Sequence, residues 1–371
     1  MRKVWIVLVV LLALLCGGAR AEEAGQGTPE GVVDSLELSG WQEEADFDVR
    51  GLILDLCAKP EAVDWQGLLS LAKARLREAV AFAPGALLSL TIPAILCALN
   101  RRFLSGELAQ AAQLVCFLGE AQALIALFLG ELASARAAIE RVGGLTEKVY
   151  PVLLTLLSMT GGNAAAGVMR PLYAFLSGAL SSGLYRSAFV LASCAAAVAA
   201  AGRLSPDVRL HGLLKLLTSV SGYLTGACMT AFLAILTAGG LLGATRDGVT
   251  IRAAKYAIDS LLPVVGGEVA GAMDAVTLSA ALVRNAAGIT GLVLMLGVCL
   301  APIARLVACM LICRVAGALV EPLHAGEISA CLQDFSSVLR ILLIALCACA
   351  VLFVILVGAT LRAGALVFSL R

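Results

Sequence analysis

Of 371 residues, 60% are hydrophobic and only 14% charged, whereas a soluble domain runs nearer half apolar and a quarter charged. That balance excludes an ordinary water-soluble enzyme and a disordered chain, and a net charge of +1 lacks the basic field of a nucleic-acid binder. The charge is also split: residues 22–80 hold 13 acidic and five basic residues, a balance of −8, and residues 81–371 hold 13 and 19, a balance of +6.

Residues 1–21 read as a secretory signal. Arg2 and Lys3 precede 13 apolar residues, Val4 to Cys16, and Ala19-Arg20-Ala21 has the small-x-small form of a cleavage site. Residues 22–64 follow with 12 acidic and two basic residues. Segments poor in Lys and Arg are the ones translocated, so the mature N-terminus is expected outside the cytoplasm. Asp64 to Val80 has apolar residues at helical spacing, with Lys73, Arg75 and Arg77 on other faces. Such a helix either lies in the headgroup plane or packs on residues 32–57.

A polytopic region fills 81–371. Phe82–Leu99 reads as a span closed by Asn100-Arg101-Arg102. Leu114–Leu132 reads as a second, carrying Glu120 and Glu131. Residues 134–148 form a polar connection before a third span, Val149–Met169. Pro171–Gly202 is long enough for two short segments around Arg186. Leu217–Gly243 is a span, and 257–285 is weakly hydrophobic and glycine-rich. Ile289–Val320, with Pro302, Arg305 and Arg314, exceeds one crossing, and Leu339–Leu361 is the last span. The expected fold is all-α, a bundle of about seven transmembrane helices, six to eight being compatible with the pattern. Basic residues flank Leu217–Gly243 on both sides, so the positive-inside rule leaves the C-terminal half unoriented.

Two breaks stand out. Pro151 with Gly161-Gly162, and Pro263 with Gly266-Gly267, interrupt apolar stretches. Irregular backbone at membrane depth survives only where protein or a watery cavity satisfies its amides, and paired broken helices frame the sites of many transporters. Glu268, Asp274 and Arg284 accompany the second break and Arg170 follows the first. These charges mark either a polar cleft or a solvated helix at the membrane edge. Gly222-x-x-x-Gly226, Gly239-x-x-x-Gly243, Gly267-x-x-x-Gly271 and the Ala run 195–201 offer close helix contacts.

Catalytic and cofactor chemistry finds no foothold. There are two histidines, His211 and His324, and no HExxH, GxSxG or GxxxxGK[ST] string. Most of the 12 cysteines lie in apolar runs without a CxxC pair, as small buried hydrophobes do. No enzyme activity, cofactor or metal is expected.

Several strings resemble one family. Asp247-Gly248-Val249, Lys255-Tyr256-Ala257 and Leu262-Pro263-Val264-Val265-Gly266-Gly267 are similar to the central signature of the stage III sporulation protein AE family. Arg284-Asn285-Ala286-Ala287-Gly288 resembles its Lys-Asn-Ala-x-Gly string, with Arg for Lys. Tyr150-Pro151 through Leu157, then Gly161-Gly162 and Pro171, resembles its earlier apolar signature. The resemblance implies a mother-cell membrane protein of an endospore-forming bacterium. It implies membership of an eight-protein, secretion-like set that, with a forespore membrane partner, builds a channel or feeding apparatus. That apparatus is needed for late forespore gene expression. The missing nucleotide loop leaves energy supply to an ATPase partner. A stand-alone secondary transporter for a small solute is the competing reading, with Glu268, Asp274 and Glu120 as ion-coupling carboxylates.

Overall fold

The computed structural model describes residues 29–36, 38–42, 48–58, 65–103, 107–178, 184–202, 211–261, 266–323 and 326–369. At 238–261 and 266–275 only the course of the backbone is described. The signal-like stretch 1–21, Arg203, Arg209 and Pro263 lie outside the described residues. Helices form the whole framework, and no strand occurs among the described residues.

Three short helices open it: α1 (Pro29–Asp34), α2 (Ser39–Gln42) and α3 (Val49–Ala58). Then come α4 (Trp65–Val80), α5 (Ala83–Phe103), α6 (Glu107–Met159), α7 (Asn163–Gly178), α8 (Leu184–Ala201), α9 (His211–Leu261), α10 (Gly266–Val320) and α11 (Gly326–Ser369). A 3-10 turn, Glu321–Leu323, joins the last two. Its Pro322 cannot extend α10.

Among the described residues, five helical segments are long and apolar enough to cross a membrane: Leu76–Leu96, Leu114–Met159, His211–Thr237, Val276–Val320 and Ile328–Ala363. About seven were expected; one merge and the shortness of α7 and α8 explain the difference. The second expected span and the first half of the third, as far as Met159, are one 53-residue helix, α6, because the polar connection 134–148 stays helical. Its alanines favour the helix, and Arg136 pairs with Glu140 one turn on at 2.9 Å. Likewise, Ile289–Val320 continues the 55-residue α10 without a break. The expected split of Pro171–Gly202 does occur, before Arg186. It leaves α7 about 24 Å and α8 about 27 Å long at 1.5 Å per residue, below the thickness of a hydrocarbon core of about 30 Å.

Helix length also limits what lies in a bilayer. At 1.5 Å per residue α6 is about 80 Å long, so one crossing leaves more than half of it outside the hydrocarbon. The most apolar segment, Ile328–Ala363, is the one most enclosed by protein: 72% of its 18-residue apolar window is buried, against 17% for that of His211–Thr237. The apolar character of α11 thus builds the centre of the bundle, where it meets α6, α8, α9 and α10. The outer faces of α5, α6 and α9 expose Leu88, Leu96, Val115, Leu129 and Leu216.

The N-terminal helices are sewn into the same core. Val33, Trp41, Val49, Ile53 and Leu56 are buried and belong to its main hydrophobic cluster. The Trp41 indole N–H donates to the Lys148 carbonyl at 3.2 Å, so α2 seats on the polar middle of α6. The amphipathic helix α4 lies against α10. The expected seats for it are the headgroup plane or residues 32–57; the helix it packs on is α10, about 200 residues on in the chain.

Candidate functional site

Glu120, Glu131, Arg284 and Arg305 lie along one seam, where α6 and α10 run antiparallel. Three facing pairs fix the register: Glu131 with Arg305, Val149 against Gly291, and Thr160 with Arg284.

At one end of the seam α6 stops, and the local chemistry shows why. Gly161 has φ 84°, the left-handed conformation that glycine adopts without a Cβ penalty. The Gly162 N–H bonds the Leu157 carbonyl at 3.0 Å and the Gly161 N–H bonds that of Ser158 at 2.9 Å. This pair of bonds is a Schellman ending. A Cβ on Gly162 would sit 2.8 Å from Leu157 Cδ1. The Gly161-Gly162 break is therefore real, and Pro151 is not part of it: Pro151 is exposed and lies within α6. Arg284, 1% exposed, donates from Nη1 to Thr160 Oγ1 at 3.1 Å, and Thr160 Oγ1 donates to the Leu157 carbonyl at 2.8 Å. The guanidinium sits where the carbonyl ends of α6 converge, the pole of a helix that favours a cation. Farther back along α6, the Tyr150 hydroxyl donates to the Met169 carbonyl at 2.6 Å, and its ring stacks on Tyr173 at 4.5 Å.

Toward the other end, Glu131 is 1% exposed and accepts from Arg305 Nε at 2.6 Å. The Cys309 thiol lies near the same carboxylate, whose Oε2 meets no hydrogen-bond donor among the described residues. The Arg305 guanidinium also covers the Phe82 ring at 4.8 Å, a cation–π contact that ties in α5. Farther along the seam Glu120 is fully buried, with Cys313 as its neighbour across the interface.

Arg284 was expected to serve the second break and instead closes the first. Asn285, next to it on α10, is half-buried. Gly266, Gly267, Glu268 and Asp274 fall in the first turns of α10, and Asp247 and Lys255 in the last turns of α9. Only their backbone is described, while α9 ends at Leu261 and α10 begins at Gly266, on either side of Pro263. The Glu131–Arg305 pair went unassigned in sequence, although two lone charges of opposite sign in two apolar stretches were the available signal. Among the glycine motifs, Gly222-x-x-x-Gly226 makes no close contact, and the side-chain surroundings of Gly239, Gly243, Gly267 and Gly271 lie outside what is described. A Cβ on Gly222 or Gly226 would meet nothing within 4 Å, whereas one on Gly288 would sit 2.7 Å from Leu361 Cδ2. The Ala run does pack, with Ala192, Ala195, Ala196 and Ala199 buried. Ten described cysteines are free thiols and five are fully buried. No cluster of metal-ligating side chains occurs among the described residues.

No solved structure matches this chain. In sequence it is 24% identical over 237 residues to stage III sporulation protein AE of Bacillus subtilis (strain 168), which covers 64% of this chain and 59% of that relative. The chain thus matches about three-fifths of the relative's length. The family model for stage III sporulation protein AE matches residues 62–364, a stretch that takes in α4 to α10, nearly all of α11 and both ends of the α6–α10 seam. The chain belongs to the stage III sporulation protein AE family.

Proposed function

We propose that this protein is a non-catalytic membrane platform or export-gate subunit of the channel complex between mother cell and forespore. In this role it serves endospore formation and late forespore gene expression. Family membership across 62–364 carries the reading. The five long apolar helices support a multi-pass place in the mother-cell membrane around the forespore. The other stage III sporulation proteins are its partners, an ATPase among them, with a forespore membrane protein opposite. If the acidic N-terminal segment is extracytoplasmic, the seat of Trp41 on Lys148 brings the middle of α6 to that same side.

Affinity purification from sporulating cells of the native host tests this. The tagged chain is expected to carry the other stage III membrane proteins with it. Recovery of the chain alone, together with solute uptake by vesicles containing it and no other protein, would replace the platform with the transporter reading. Replacing both Glu268 and Asp274 by Ala is expected to lower spore yield while the protein still accumulates in the membrane. An unchanged yield would assign those carboxylates to a solvated edge.

A further inference from the structure

Glu120 has no role in the architecture described so far. It is 0% exposed, and neither carboxyl oxygen meets a hydrogen-bond donor among the described residues. Its own helix face supplies Phe117, Ala121 and Leu124, all buried. A bare carboxylate in such surroundings is so unfavourable that the group neutralises itself unless a cation pairs with it.

The cations near enough to consider are committed or turned away. Arg305 of α10 is held by Glu131, about 16 Å along α6 from Glu120 at 1.5 Å per residue. Arg314 of α10 donates Nε to Ser336 Oγ of α11 at 3.1 Å. Cys313 is the ionisable group of α10 that faces Glu120, and Cys309 lies near Glu131 instead. On α11, Arg340 is exposed and Asp334 lies 3.6 Å from His211. α5 carries no charged residue between Ala83 and Leu99, and Arg186 of α8 is exposed. A hard metal ion is a poor occupant as well, since it takes six or more oxygen ligands, and the surroundings named here are carbon and sulfur.

We propose that Glu120 is a resident proton-binding site: its carboxyl is held as the neutral acid inside the α6–α10 seam at neutral pH. Proton occupancy and seam packing are then linked, because loss of the proton leaves a charge between Phe117, Leu124 and Cys313. This goes beyond the channel reading and does not depend on it.

The test is difference infrared spectroscopy of the purified full chain in detergent at neutral pH, wild type minus Glu120→Gln. A protonated-carboxyl C=O band in the wild type that vanishes in the variant is expected. Glu131→Gln should remove carboxylate intensity and leave that band in place. A difference spectrum showing loss of carboxylate alone in Glu120→Gln would overturn the proposal. Should that variant fail to fold, the wild type still decides through a membrane-soluble carbodiimide. The acid proton moves to a reagent nitrogen, the carboxyl oxygen adds to the central carbon, and acyl transfer to nitrogen leaves an N-acylurea that retains every reagent atom. The adduct is expected on Glu120 in the peptide from Phe103 to Arg136. An adduct on Glu131 with Glu120 unmodified would refute the assignment.

Discussion

Arg305→Ala is the most informative single perturbation of the seam. It strips the cation from Glu131, which is 1% exposed and whose Oε2 already meets no donor among the described residues. Removing one partner of a buried ion pair costs about 3–5 kcal/mol. The Arg305 side chain is 45% exposed, so water already screens it, and the lower end, about 3 kcal/mol, is the expected loss. Glu131→Gln keeps the shape and an acceptor oxygen for Arg305 and should cost about 1–2 kcal/mol, in the range of a hydrogen bond to a charged group. The double variant Glu131→Gln with Arg305→Met leaves no buried charge and packs a flexible apolar chain on Phe82, and should lie within about 1 kcal/mol of wild type. With Arg305→Met also made alone, that single, Glu131→Gln and the double define a coupling of about 2 kcal/mol or more, within what contacting residues show. Thermal denaturation in detergent, followed by size-exclusion recovery, measures it. The order expected is double variant near wild type, then Glu131→Gln, then Arg305→Ala. Additive losses, with the double the least stable, would show that the pair contributes nothing specific to the seam.

Three further outcomes follow from local geometry. Gly288→Ala places a Cβ 2.7 Å from Leu361 Cδ2. Overpacking of about 1–3 kcal/mol should outweigh the helix-propensity gain of about 1 kcal/mol, lowering the melting temperature, and Leu361→Ala in the same chain should recover part of the loss. Gly161→Ala forces a Cβ onto a residue with φ 84° and should cost about 1–2 kcal/mol, read as a lower melting temperature with unchanged helix content by circular dichroism. The Cys57 thiol, in the N-terminal helices, is pushed up to about 11 by burial. Burial favours the neutral form, so at pH 8 its thiolate is roughly 100-fold scarcer than at the ordinary 9.0. Its reaction with a maleimide should be slow at pH 8 and rise steadily toward pH 11, with Cys57→Ala as the reference. A rate as fast as that of an exposed thiol would mean α3 is not docked.

Much of the fold was legible because composition and periodicity are local. The helical class, the amphipathic α4 and the interruption before Arg186 each rest on residues close in the chain. Helix boundaries over polar stretches were not legible. Residues 134–148 look like a loop when polarity is weighed against a bilayer, yet they remain helical because α2 covers Lys148 and an i,i+4 pair solvates the rest. The break at Gly161-Gly162 was visible as a glycine pair, but its partner was not, since Arg284 arrives from 124 positions away.

By itself, then, the sequence determined that this is a helical chain too apolar for a watery surface, with an acidic entry segment and the signature strings of its family. Only the tertiary structure decided which charges meet. Side-chain pairing across α6 and α10 depends on the antiparallel register of two helices of more than 50 residues, and no short-range pattern encodes that register. The scarcity of charge, read first as a mark of the membrane, becomes in the folded chain a measure of how few groups the seam must neutralise: Arg284 by hydroxyl and helix end, Glu131 by Arg305, and Glu120 by a proton.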